Sequence, residues 1–252
     1  MNEWFDDFKT AVAFLTRLPM PHPDGAMPTN FVRAHRMFPV VGAMIGAVVG
    51  LLCLGLRYLG VPDLAAAALA LGGSAIMTGA LHEDGLADVA DGFGGGRNLE
   101  SKLEIMRDSR LGTYGAMILL VSFAAKLSAL AAIPDGYVIP SLIAAHALGR
   151  GILPAMSLNL PYARKDGLAR NAGQPDAATA AIAGGLALLI ALLSLSWSNA
   201  LSAAVLTGLS GLGMAWLALR QIGGQTGDVL GGAEQVAETA ILVLLAARLA
   251  QP

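Results

Sequence analysis

The run Phe38–Leu56, FPVVGAMIGAVVGLLCLGL, carries no charged residue. At about 1.5 Å per helical residue it can cross a hydrocarbon core of roughly 30 Å with little or no tilt. Lipid offers no partner to backbone N–H and C=O groups, so a chain crossing there must pair them internally, as an α-helix does. Comparable runs recur at Leu64–Leu81, Gly112–Ile133, Tyr137–Leu160, Ala177–Trp197 and Ala200–Leu219, and a shorter one at Val236–Leu249 carries Glu238 and Arg248. The first six read as spans. The seventh is compatible with a tilted span, a re-entrant piece or an interfacial helix. The expected fold is all-α, a polytopic integral membrane bundle of about seven transmembrane helices forming one domain over residues 1–252.

Composition agrees with that reading. The chain is 55% hydrophobic and 13% charged, more apolar surface than one water-soluble core can hide. A net charge of −2 gives no electrostatic footprint for nucleic acid, and none is expected as a partner. The single cysteine, Cys53, supplies neither a disulfide framework nor a Cys-based metal site. At the start, Trp4, Phe5, Asp6, Asp7 and Phe8 stand where a cleaved signal peptide would carry a basic region and an apolar stretch. Trp4, Phe5, Phe8, Val12 and Leu15 recur instead at helical spacing between charges, the pattern of an interfacial helix over residues 1–18 lying on the bilayer.

With the N-terminus inside, twelve of the sixteen Lys and Arg residues fall in cytoplasmic segments, and only Arg57 and Arg248 fall outside. Short cytoplasmic loops carry the Lys/Arg excess, so this is the predicted orientation. The long connections His82–Leu111, Pro161–Asp176 and Gln221–Gln235 then share one face, and chemistry is expected there.

In His82–Gly96, HEDGLADVADGFGGG, Asp84, Asp88 and Asp91 are spaced i, i+4 and i+7 and share a helix face. Three carboxylates so close repel unless a cation or water neutralises them. An all-oxygen set suits a hard divalent ion, Mg²⁺ first and Mn²⁺ as a substitute, and Mg²⁺ commonly joins one or two carboxylates to substrate phosphates. The bland reading is a solvated helix end. Farther along, Leu103–Gly115, LEIMRDSRLGTYG, supplies Arg107, Asp108 and Arg110. Guanidinium groups there can clamp phosphate oxygens bidentately or merely anchor the loop to the cytoplasmic side. Carboxylates for a metal and arginines for phosphates are the parts of a phosphoryl-transfer site.

Gly223–Glu238, GGQTGDVLGGAEQVAE, places five glycines around Thr226 and Asp228 within Gly223–Gly232. Glycine lets backbone approach a ligand closely; Thr226 or backbone amides could then touch phosphate, while Asp228 binds metal or takes a proton. The alternative is a flexible turn. No Walker lysine motif or dinucleotide-binding glycine pattern is present. Arg150, one turn from His146 in an apolar segment, is a costly intramembrane charge of functional or ion-pairing use. Arg164 and Lys165 in ARKDGLAR add basic groups for a nucleotide or ribosyl phosphate, or for topology. His82 and Glu83 border the acidic motif.

Taken in order, AFLTRLPMP (Ala13–Pro21), RMFPVVGAMIG (Arg36–Gly46), HEDGLADVADG, LEIMRDSRLGTYG, Gly149–Arg150, ARKDGLA and GGQTGDVLGG resemble the cobalamin synthase family, the adenosylcobinamide-GDP ribazoletransferases. The resemblance covers nearly the whole chain. It implies a Mg²⁺-dependent enzyme of the bacterial cytoplasmic membrane, active on the cytoplasmic face. Such an enzyme joins α-ribazole or its 5′-phosphate to adenosylcobinamide-GDP, forming adenosylcobalamin or its 5′-phosphate and releasing GMP. Carried onto these residues, Asp84, Asp88 and Asp91 hold metal and Arg107 and Arg110 hold the diphosphate. Asp228 gives a second metal contact or takes the nucleophile's proton, with His82 and Glu83 as alternative bases. A homo-oligomer is compatible with all of this.

Two other readings fit less well. Phospholipid-type alcohol phosphotransferases also cleave a nucleotide diphosphate at membrane-edge aspartates, but they carry an Ala-Arg pair after the first Asp-Gly, where this chain has Leu86-Ala87. A cation transporter would place its acidic residues at the bilayer midplane, whereas these clusters lie at span ends.

Overall fold

The computed structural model describes residues 3–20, 30–167, 170 and 172–249. Pro21, Leu168, Ala169 and the first two residues of the expected interfacial helix lie outside that set. Among the described residues there is no β-strand, only an isolated bridge between Tyr162 and Gln225. The helices are α1 (Glu3–Leu15), α2 (Phe31–Ala34), α3 (Phe38–Tyr58), α4 (Asp63–Thr78), α5 (Leu81–Gly95) and α6 (Leu99–Ile105). After them come α7 (Thr113–Ala132), α8 (Asp135–Gly151), α9 (Leu153–Asn159), α10 (Ala177–Ser194), α11 (Trp197–Ile222) and α12 (Gly227–Leu249).

Six segments are long and apolar enough to cross a membrane, or seven if α4 and α5 are taken together as one bent span. The protein is an integral membrane helical bundle. At its centre α3 lies directly on α8, because Gly42, Gly46 and Gly50 form a smooth stripe at four-residue spacing. A Cβ at Gly50 would fall 2.9 Å from the Cα of Ile139, and one at Gly42 or Gly46 would strike a backbone carbonyl of α8. Such stripes let helices approach closely where van der Waals contact, not water, drives association.

Several expectations need correcting. The run Leu64–Leu81 is not one straight helix: α4 ends at Thr78, Gly79 and Ala80 take left-handed φ values of 67° and 53°, and α5 leaves at 91°. Left-handed backbone costs an alanine about 1–2 kcal/mol, so Ala80 is strained to make this corner. The run Tyr137–Leu160 does form one span, Asp135–Asn159, with a turn at Ile152 between α8 and α9. The seventh run is not short: α12 has 23 residues, because the helix begins within the glycine-rich motif. The expected N-terminal helix is present as α1, but it does not turn all its apolar residues to lipid. Val12 and Leu15 are buried in the protein core, and Trp4 and Phe5 are exposed. Asp7 is buried too, accepting from Asn30 at 2.9 Å and pairing with Arg36 at 2.7 Å and Arg33 at 2.9 Å.

At the far end of the bundle, Arg57 donates to Leu130 O at 2.7 Å and Ile133 O at 3.0 Å and pairs with Asp135 at 2.7 Å. A guanidinium there satisfies carbonyls that the end of α7 leaves without intrahelical partners.

Candidate active site

The corner at Gly79 and Ala80 lays α5 across α12. A Cβ on Gly85 would sit 2.9 Å from Asp228 O, and one on Gly231 would sit 3.2 Å from the Cα of His82. The two backbones therefore touch, and the contact sets the acidic residues of α5 beside the first turn of α12. Of the glycines of GGQTGDVLGG, Gly231 and Gly232 pack against α5, whereas Gly223, at φ 72°, and Gly224 form the turn that ends α11. Asp84 is exposed and Asp88 is half-buried. α5 carries four acidic residues between Glu83 and Asp91 and is not by itself long and apolar enough to cross a membrane. The Asp88 carboxyl is raised to about 7, first by burial, then by the nearby charges of Asp228 and Asp84. That concentration of half-buried negative charge, with only oxygen donors, fits a hard divalent cation.

Asp228 is oriented by its neighbours. It accepts from Thr226 Oγ1 at 3.1 Å and pairs with Arg164 at 3.3 Å. Thr226 is itself buried and caps α12, accepting from the backbone N–H of Val229 at 3.2 Å. Its hydroxyl is thus engaged within the protein. Gln225 fastens the preceding turn, its side chain donating to Ser157 O and Leu160 O, both at 2.8 Å. Pro161 O accepts from the Gln225 N–H at 2.8 Å, which holds the 161–167 segment and Arg164 over Asp228.

Arg107 pairs with Asp166 across to that segment. Between them opens a cleft of about 440 Å³ lined by Glu100, Glu104, Arg107, Arg164, Lys165 and Asp166. Three of the expected phosphate-binding residues thus share one cleft, which meets the acidic residues at Arg164. Arg110 does not join them. It is exposed and bonds to Asp108 two residues away, and that guanidinium holds the Asp108 carboxyl below the usual carboxylate range.

Asp91, whose charge also bears on Asp88, has its carboxylate engaged elsewhere. It is buried, and its two carboxylate oxygens accept from the backbone N–H groups of Gly112 at 2.7 Å and Gly115 at 2.9 Å. Those amides belong to the start of α7 and have no intrahelical acceptor, so Asp91 acts as a cap supplied from another helix.

Arg150 lies in the interior at 1% exposure and cannot meet a substrate in the cleft. It pairs with Glu234 at 2.5 Å and lies 2.9 Å from His146 Nδ1. His146 is 2.8 Å from Glu238, and Lys126 bonds to Gln235 at 2.7 Å and to Glu238 at 3.2 Å. His82 reaches Glu234 at 3.5 Å, and Glu83 leaves one buried carboxylate oxygen without a partner. Among the described residues, only His146, Glu234 and Glu238 bring three metal-ligating atoms within 4.8 Å of one another. Two carboxylates are already balanced there by Lys126 and Arg150, so the cluster is an internal ion-pair network tying α5, α7 and α8 to α12. Sequence reasoning missed Glu234. The available signal was a pair of acids, Glu234 and Glu238, four apart on one helix, matching His146 and Arg150 four apart on another.

The family model for cobalamin-5-phosphate synthase matches residues 7–246 of this chain. The chain belongs to the cobalamin-5-phosphate synthase family. Curated relatives named adenosylcobinamide-GDP ribazoletransferase include one from Bradyrhizobium diazoefficiens, 47% identical, the match covering 96% of this chain and 93% of that one. Another from Sinorhizobium medicae is 41% identical over 98% of both chains. A third from Mesorhizobium japonicum is 43% identical over 95% of this chain and 92% of its own. No solved structure gives a significant match. In this member of the cobalamin-5-phosphate synthase family, the described acidic and basic residues around Asp88, Asp228, Arg164 and Arg107 come to one end of the bundle.

Proposed function

We propose that this protein is an adenosylcobinamide-GDP ribazoletransferase. It joins α-ribazole or its 5′-phosphate to adenosylcobinamide-GDP, with release of GMP, on the cytoplasmic face of the bacterial inner membrane. The observation that carries this reading is that Asp228, whose charge with that of Asp84 bears on Asp88, pairs with Arg164 of the cleft that also holds Arg107 and Lys165. Close relatives bearing that activity's name support it.

Arg107, Arg164 and Lys165 bind the diphosphate, drawing its charge into the cleft and fixing the direction in which GMP departs. A ribazole hydroxyl attacks the phosphorus attached to cobinamide. The new P–O bond forms, the bridging P–O bond to GMP breaks, and GMP leaves with the electron pair. Asp228, in contact with Arg164, takes the hydroxyl proton. Asp84 and Asp88 would hold Mg²⁺, or Mn²⁺ in its stead. Bound there, the ion supplies charge stabilisation to the phosphate oxygens. Purified protein given adenosylcobinamide-GDP and α-ribazole should release GMP with Mg²⁺ and stop when EDTA is added. Release that ignores EDTA would remove the metal from the scheme, and no release under any condition would remove the transferase reading.

A further inference from the structure

Behind Asp84 and Asp228 lies a second space, a cavity of about 190 Å³ that also touches Phe14, Phe31, His35 and Phe38. Phe14 and Phe38 are stacked at 5.9 Å with planes 11° apart, and His35 stacks on Phe38 at 4.6 Å. Phe31 stands edge-on to Phe14 at 4.8 Å. The result is a firm aromatic lining, drawn from α1 and from the segment leading into α3. His35 Nδ1 lies 3.0 Å from Phe31 O and 3.1 Å from Val32 O. Facing two carbonyl oxygens, Nδ1 must carry the hydrogen, which leaves a lone pair on Nε2. The imidazole and the two carboxylates thus offer acceptors to an occupant.

Size and chemistry together restrict that occupant. Pockets for drug-sized ligands run to roughly 300–1,000 Å³, so this smaller space takes a bicyclic ring and not a corrinoid. An acyl chain gains nothing from two carboxylates, and a diphosphate finds no Lys or Arg among the described lining residues. A flat, apolar ring that bears hydroxyl donors satisfies both sides of the cavity. We propose that the cavity seats the planar benzimidazole base of the acceptor nucleoside against the aromatic lining, with its ribose hydroxyls turned towards Asp84 and Asp228. This rests on the transferase reading above. It sets the acceptor against Asp228, which pairs with Arg164 of the cleft assigned to the donor's diphosphate, so donor and acceptor meet at that carboxylate.

The test separates the two substrates. Ala172 is buried and lines the cavity, so Ala172→Phe fills it, while Phe14→Leu removes one half-buried ring and keeps its bulk. KM is measured for each substrate, and α-ribazole alone is titrated calorimetrically into the detergent-solubilised protein. Ala172→Phe should raise both the KM and the Kd for α-ribazole by about tenfold or more and Phe14→Leu by about threefold to tenfold, with the KM for adenosylcobinamide-GDP unmoved. If Ala172→Phe does not fold, Phe14→Leu decides alone. Unchanged α-ribazole affinity in the folded variants, or a rise in the corrinoid KM instead, would overturn the assignment while wild-type GMP release kept the transferase reading intact. Absence of wild-type GMP release would sink that reading, with the calorimetric titration still judging the cavity.

Discussion

Asp88 is where local charge makes the sharpest demand. Its proton affinity is raised towards neutrality, and a divalent ion must displace that proton. Mg²⁺ affinity should therefore rise with pH up to about 7 and level off above it. Half-saturating Mg²⁺ for GMP release, measured from about pH 5.5 to 8, checks this, and a flat profile would contradict it. The linked stability runs the other way. The folded-state pKa lies above the ordinary value of 3.8, so the folded protein holds this proton to higher pH than the unfolded chain, and the metal-free form loses stability as pH rises from about 4 to about 7. Asp91 should behave differently from its neighbours in the motif. Asp91→Ala leaves the Gly112 and Gly115 amides without acceptors and should cost about 1–3 kcal/mol, seen as a lower unfolding temperature in detergent. Its half-saturating Mg²⁺ concentration should match that of the wild type.

Among the elements, the contact of α5 with α12 brings the site together. Gly85→Ala would drive a methyl to 2.9 Å from Asp228 O. Overpacking of this kind costs about 1–3 kcal/mol, and the relief available is separation of the helices that carry the acidic residues. Turnover should fall more than stability does, measured as GMP release against thermal unfolding of the same preparation. Both helices were partly legible in the sequence. The i, i+4, i+7 spacing correctly put Asp84, Asp88 and Asp91 on a helix, but spacing along one helix says nothing of what a second helix brings. Asp91 was drawn away by amides from α7, twenty-one and twenty-four residues farther on, and Asp228 lies close enough to Asp88 to raise its proton affinity. The glycines of Gly223–Gly232 read as a loop because glycine lowers helix propensity; Gly223 and Gly224 do form a turn, while packing against α5 offsets that cost at Gly231 and Gly232. The 91° corner after α4 was hidden inside an apolar run, where hydropathy carries no directional information.

For the whole molecule, the apolar runs were legible because a bilayer forces length and hydrophobicity on every span. What hydropathy could not give was the ion-pair network of Lys126, His146, Arg150, Glu234 and Glu238, whose members are spread over three helices. If the Lys/Arg distribution sets the orientation, single cysteines placed at Asn98 and Gly167 should resist periplasmic labelling in intact cells and react once the membrane is opened. Labelling from the periplasm would reverse the map. The central claim is that the acidic residues at this end of the bundle perform metal-dependent transfer chemistry. Its most direct measurement is GMP release from adenosylcobinamide-GDP and α-ribazole by purified Asp84→Asn and Asp88→Asn variants across a Mg²⁺ titration. Both should fold, and each should lose at least about 100-fold in rate, since metal-assisted charge stabilisation is worth several kcal/mol and each ~1.4 kcal/mol is tenfold. Near-wild-type turnover by both variants at limiting Mg²⁺ would contradict the claim and leave the acidic face of α5 a solvated helix end.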